Sequence, residues 1–152
     1  MRQTEGICAG SALLALLMQL SACQQPSLET AAAKYHGSAE WRSTSAIAED
    51  FTCNGRTEHA ILGIDQAEIV IAIFLGGLDE PPKILRDSAR KAQSAKLTTE
   101  SLDYDLKDVI GGPIPGFQRS GKCKGLVLDD GEKAARHIFW NRAFNEFDSW
   151  AR

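Results

Sequence analysis

Hydrophobic and polar positions divide the chain into three unlike parts. The front, MRQTEGICAGSALLALLMQLSA over residues 1–22, sets Arg2 and the free amino group ahead of an apolar core, ALLALLM. That core is too short to cross a bilayer as a permanent helix and carries the pattern of a targeting segment. Residues 24–50, QQPSLETAAAKYHGSAEWRSTSAIAED, are rich in Ala, Ser, Thr and Gln and hold no sustained period of 2 or 3.6. They are expected to form a flexible tether of about 25 residues with an r.m.s. reach of roughly 25 to 30 Å. Tyr35 and Trp41 stand against that reading, and ETAAAKY has the propensity for a short helix that docks on the domain.

From Phe51 onward the pattern is that of short strands. TEHAILGI (57–64) and AEIVIAIFL (67–75) are β-rich runs separated by Asp65-Gln66, which predicts a hairpin. In the second run Ile69, Ile71 and Ile73 share one face and Val70, Ala72 and Phe74 the other. Both faces are apolar, so this strand is expected to be central and covered on both sides. GGLDEPP (76–82) is a turn by composition, and KILR begins a strand that passes into a polar stretch. In SLDYDLKDVI (101–110), Leu102, Tyr104 and Leu106 alternate with Asp103, Asp105 and Lys107, a half-buried strand signature. KCKGLVLDD, ARHIFWN and FNEFDSW follow, with a turn at 129–132. Short strands with polar turns predict a mainly β domain over residues 51–152, a small antiparallel sandwich or barrel of six to eight strands, with room for one short helix. The competing fold is α+β with a helix near 84–96.

Composition narrows the function classes. The chain has 152 residues and a net charge of −3, with lysines and arginines interleaved with acids. No basic patch suits nucleic acid, and no nucleic-acid partner is expected. The residues left after loss of the leader, about 130, suffice for one compact domain.

The leader ends in Leu20-Ser21-Ala22-Cys23 and is followed by the polar QQPS. This border resembles the signal of bacterial lipoproteins, in which a leucine and two small residues precede a cysteine. The resemblance covers the leader alone. It implies that Cys23 receives a diacylglycerol thioether and becomes the acylated N-terminus of the mature protein. Two departures are the weak positive charge, Arg2 being offset by Glu5, and Cys8 inside the apolar run. Each buried methylene contributes about 0.8 kcal/mol and stable anchoring takes more than one chain, so a triacylated Cys23 holds the protein on a membrane. Gln24 stands where the resembled family places Asp for inner-membrane retention, which implies the outer membrane, facing the periplasm.

Of the four cysteines, Cys8 leaves with the leader and Cys23 carries lipid on this reading, leaving Cys53 and Cys123. In an oxidising compartment the pair reads most simply as one disulfide. It closes a loop of about 70 residues, for which chain entropy gives roughly 4 kcal/mol. A metal site would want more ligands at closer spacing, and a redox pair would be C-x-x-C.

Few residues of the chain fit catalytic chemistry. There is no G-x-S-x-G, and His59 and His137, the histidines of the expected domain, sit in strand-like runs where a structural role outweighs a catalytic one. Those histidines with Asp103 or Asp105 lack zinc-site spacing. Asp129-Asp130 reads as a turn, calcium and phosphate loops are missing, and no carboxylate pair stands out. No cofactor or metal is expected, and the protein is not expected to be an enzyme. The late aromatics Phe139, Trp140, Phe144, Phe147 and Trp150 read as core and edge packing rather than a carbohydrate platform.

One stretch stands apart, VIGGPIPGFQRSGKCKG (109–125). Gly111-Gly112 and Gly116 bracket Pro113-Ile114-Pro115, a stiff tip between flexible hinges, and Cys123 pins its exit. Ile114, Phe117, Gln118 and Arg119 are the candidate partner-binding residues. The plain alternative is a connection whose Ile and Phe cap the core. FTCNG (51–55) and RSGKC (119–123) give the domain a faint resemblance, over a handful of residues, to the membrane-bound inhibitors of c-type lysozymes, small β-barrel lipoproteins. The second inhibitory motif of that family has no counterpart here, so none of its active residues is carried over. The expectation is an outer-membrane-anchored, periplasm-facing lipoprotein that binds and inhibits a hydrolase or toxin, as an immunity protein does. The alternatives are a lipoprotein component of an envelope assembly or secretion system, and an unrecognised hydrolase.

Overall fold

The computed structural model describes residues 26–88 and 92–151, so the leader and Cys23 lie outside the described residues. The chain is mainly β, with two antiparallel sheets packed face to face. The first sheet holds β1 (Glu40–Trp41), β2 (Ile47–Glu49), β3 (Glu58–Asp65), β4 (Glu68–Phe74) and β5 (Lys83–Ser88). Its order is β1-β3-β4-β5, with β2 also paired to β3. The second is a meander of β6 (Lys96–Leu102), β7 (Ser120–Asp129), β8 (Arg136–Asn141) and β9 (Glu146–Ala151). The sheets do not close, so the architecture is a sandwich and not a barrel.

The double-sided reading of β4 is borne out. Ile69, Ile71 and Ile73 face the space between the sheets with Ala60, Leu62, Leu126, Leu128 and Ile138. Val70, Ala72 and Phe74 face the opposite side and meet Ala31, Ala32 and Trp41. The hairpin is borne out one residue later than read: Asp65 pairs with Glu68, and Gln66-Ala67 make the turn, with Gln66 at φ 57°.

Two expectations are corrected. Residues 28–50 of the expected tether are folded, and the alternative of a short docked helix at ETAAAKY is what stands there. Helix α1 (Leu28–Tyr35) starts at Ser27, whose side chain accepts from Thr30 N, carries Glu29 in its first turn and Lys34 in its last, and buries Ala31 and Ala32. Behind it Trp41 lies opposite Gly63 in register, and a Cβ there would stand 2.7 Å from Trp41 Cε3. Only a glycine lets the indole lie flat on the strand. The folded part therefore begins well before Phe51.

The second correction concerns 101–110. β6 stops at Leu102, and Leu106–Ile110 form a short helix, α2. Asp105 caps it by accepting from Lys107 N at 2.9 Å, and Gly111 ends it at φ 83°. Leu102 and Leu106 are buried and Tyr104 half-buried, so the alternation marks which side chains turn inward but not the backbone that carries them. The stretch 84–96 gives β5 and a single 3-10 turn at Ala92–Ser94, with no α-helix among the described residues there.

Candidate partner-binding surface

Three chain segments meet at one end of the sandwich, and each is fixed by a different kind of bond. The first is the loop 50–57. Glu58, fully buried at the start of β3, accepts from Phe51 N and Thr52 N at 2.9 Å each on Oε2. On Oε1 it accepts from Thr52 Oγ1 at 2.6 Å and from Asn54 Nδ2 at 3.0 Å. The loop thus folds round one carboxylate whose four donors replace the water it gave up. Asp50 adds a second clasp, accepting from Asn54 N and Gly55 N.

The second segment is the start of β7, joined to the loop by the disulfide expected from the sequence, Cys53–Cys123, with Cα atoms 5.1 Å apart. Lys124 N also donates to Asp50 O at 2.9 Å. Cys123 is buried with Leu102 and Phe139 in a small cluster on the outer face of the second sheet.

The third segment is the stretch singled out above. Ile114 and Phe117 pack onto that same cluster, as the plain alternative had it. Phe117 stacks on Tyr104 with ring centres 5.5 Å apart and meets Phe139 edge-on at 5.1 Å. Gln118 is half-buried, its Oε1 enclosed without a hydrogen bond. Arg119 remains exposed, 2.7 Å from Asp103, which with Asp105 and Asp108 holds its guanidinium further toward the charged form. Of the four candidates, then, Ile114 and Phe117 serve mainly to seat the loop.

What that loop supports is the turn between β8 and β9. Asn141 Nδ2 donates to Pro115 O at 2.8 Å, Arg142 N donates to Gly116 O at 3.1 Å, and Arg142 Nη2 reaches Cys53 O at 3.2 Å. Gly116 sits at φ 83° so close to Asn141 and Ala143 that a side chain would strike both. At the apex stands Phe144, 63 % exposed. The sequence reading placed Phe144 among core and edge aromatics. The signal it passed over is local: Arg142 to Asn145 lacks the alternation of the flanking strands.

Two polar clusters lie away from this end. On the outer face of the second sheet His137 Nδ1 is 2.9 Å from Glu100 Oε2 and stacks on Trp150 at 3.9 Å. The reach from β6 to β8 passes over Gly125, where a Cβ would crowd Leu102 and Glu100. Tyr104 donates to Glu100 Oε1 at 3.3 Å, and burial, followed by the Glu100 charge, pushes its phenol above the ordinary range. On the first sheet His36 Nε2 and Ser38 Oγ both lie 2.9 Å from Asp65 Oδ2. Chiefly through Ser38 and then His36, Asp65 is held below the usual carboxylate range. The sequence reading missed His36 because it fell in the supposed tether.

Neither cluster has the order of a hydrolytic triad. Ser38 donates to the carboxylate and not to the histidine, so the imidazole cannot take its proton. His59 is half-buried on β3. Among the described residues no group of three His, Cys, Asp or Glu side chains is placed to hold a metal ion, and no helix is long and apolar enough to cross a membrane.

Comparison with known protein families, with curated proteins and with solved structures finds no match for this chain.

Proposed function

We propose that this protein is a lipoprotein held by Cys23 on the periplasmic side of the outer membrane, whose folded part binds and inhibits a hydrolase or toxin in the manner of an immunity protein. The observation that carries the reading is the clamped end: a buried carboxylate, a disulfide and the Gly116–Asn141 contact hold three segments around one exposed aromatic. A surface ordered before it meets its partner gives up little entropy on binding. The arrangement of Ser38, His36 and Asp65 favours binding over hydrolysis for the same chain.

The folded start at Leu28 changes how such a protein would sit. Five peptide steps separate Cys23 from Leu28, at most about 18 Å of chain. A lipidated Cys23 would keep the domain against the leaflet, where its target would have to come within reach of the membrane surface.

The test uses the full chain purified in detergent and mixed with periplasmic extract. Capture of one soluble enzyme whose activity falls in proportion to the added protein is the expected outcome. Recovery only within a large membrane assembly would replace this reading by that of an envelope component. In the same cells Cys23→Ser should abolish incorporation of labelled palmitate.

A further inference from the structure

Resting on the reading that this end binds a protein, we propose that the partner offers an apolar socket rimmed by carboxylates, and that Phe144 is the side chain it receives. Phe144 is 63 % exposed, against 36 % for Ile84 and 37 % for Ile110, the other large apolar side chains left open among the described residues. Its exposure is not that of a loose loop. Asn145 N donates to Asn141 O at 2.9 Å and Ala143 N to Asn141 Oδ1 at 3.0 Å, so the turn is braced internally as well as against Gly116. An aromatic held rigidly in water is the usual form of an interface anchor.

The charge around it gives the partner's sign. Arg56, Lys83, Lys122 and Arg142 are all exposed, and none makes an ion pair among the described residues. The acids between them are already used: Glu58 is buried within its four hydrogen bonds, and Asp50 caps Asn54 and Gly55. Glu146, at the base of the turn, and Asp79 and Glu80, in the loop that leads into Lys83, are the exposed acids at this end. Four unpaired cations thus outnumber three exposed acids at the end where the anchor stands, in a chain of net charge −3.

Shape favours a folded protein over a lipid surface. One groove of about 330 Å³ runs between Thr52, Asn54, Leu75, Lys83 and Trp140. Another of about 550 Å³ runs between Asp50, Cys53, Gln118 and Lys122. Ridges of a folded partner fill such grooves, whereas a plane of headgroups spans them empty. Cations on the rim raise the association rate toward a carboxylate-lined site, and the central aromatic supplies the hold.

The experiment is photocrosslinking in intact envelopes from full-length protein carrying a benzophenone amino acid at position 144, or at Glu40 on the opposite sheet edge as control. A single protein adduct from position 144 and none from position 40 is expected. Its purified partner should bind with an association constant that falls steadily with salt. Affinity should drop by about tenfold or more in Phe144→Ser and in the Lys83→Glu, Arg142→Glu pair, while Phe144→Leu retains most of it. Phe144→Ser, Phe144→Leu and Lys83→Glu alone should melt with the wild type, since these side chains are exposed, and the pair should melt only slightly below it through loss of the Arg142 Nη2–Cys53 O bond. Adducts to phospholipid alone, or charge reversal without loss of affinity, overturn the proposal. An inhibited enzyme that crosslinks at position 40 and not at 144 leaves the binding function standing and removes this site. Adducts from neither position, with no enzyme captured or inhibited by the full chain, remove both.

Discussion

Replacing Glu58 by alanine takes away the one acceptor around which the loop 50–57 is built. Two of its four donors, Phe51 N and Thr52 N, are backbone groups that cannot turn elsewhere. The other two, Thr52 Oγ1 and Asn54 Nδ2, can rotate or flip. Stranding the fixed pair in a fully buried site, together with the cavity left by the side chain, costs about 3–5 kcal/mol. Glutamine separates the two halves of that figure. With its oxygen in the Oε2 position it still receives both backbone N–H groups, and its NH₂ then faces Thr52 Oγ1, which turns to accept. Asn54 is less free, because its Oδ1 already accepts from Arg56 N at 2.7 Å. Glu58→Gln is therefore expected to cost about 1 kcal/mol, one hydrogen bond. Urea unfolding of both variants, with the disulfide intact and again after reduction, measures the difference. Reduction should itself remove up to roughly 4 kcal/mol through chain entropy, and Glu58→Ala should then leave the loop with no clasp but Asp50. If glutamine proves as damaging as alanine, the account by fixed and movable donors is wrong. If alanine costs less than about 1 kcal/mol, the carboxylate does not organise the loop.

Gly63→Ala should force the Trp41 ring, 2.7 Å from the new Cβ, off the strand, at about 1–3 kcal/mol. Faster proteolysis within 28–42 and a red-shifted tryptophan emission would follow, and an unchanged melting curve would refute the contact. Asp130 is held below the ordinary carboxylate range by Lys133 N and Glu132 N, which donate to its Oδ1 at 2.8 and 2.9 Å. Folding thus favours the ionised form: the contribution is present above the unfolded value, about 3.9, and is lost as pH falls through the lower folded one. Melting temperature should accordingly fall more steeply below about pH 4 for the wild type than for Asp130→Asn, and parallel curves would dispose of the effect.

Periodicity alone was enough for β4. An unbroken apolar run with two distinct faces, Ile69-Ile71-Ile73 and Val70-Ala72-Phe74, has to be a central strand, because neither face tolerates water, and the structure buries both. Polar breaks placed the β3–β4 hairpin within a residue, and two cysteines left over after the leader predicted the Cys53–Cys123 bond. Tertiary structure decided the rest. Eight residues of α1 are too few to hold a helix in water, so the propensity of ETAAAKY and the presence of Tyr35 and Trp41 raised a docked helix only as the alternative to a tether. The segment 28–49 folds because Ala31, Ala32 and Trp41 find the outer face of β3 and β4, supplied from later in the chain, and because Gly63 leaves room for the indole. The same holds at the clamped end. That Glu58 turns inward, that Phe117 seats a loop and that Phe144 stands in water depend on which segments meet there, and a linear pattern carries no record of those meetings.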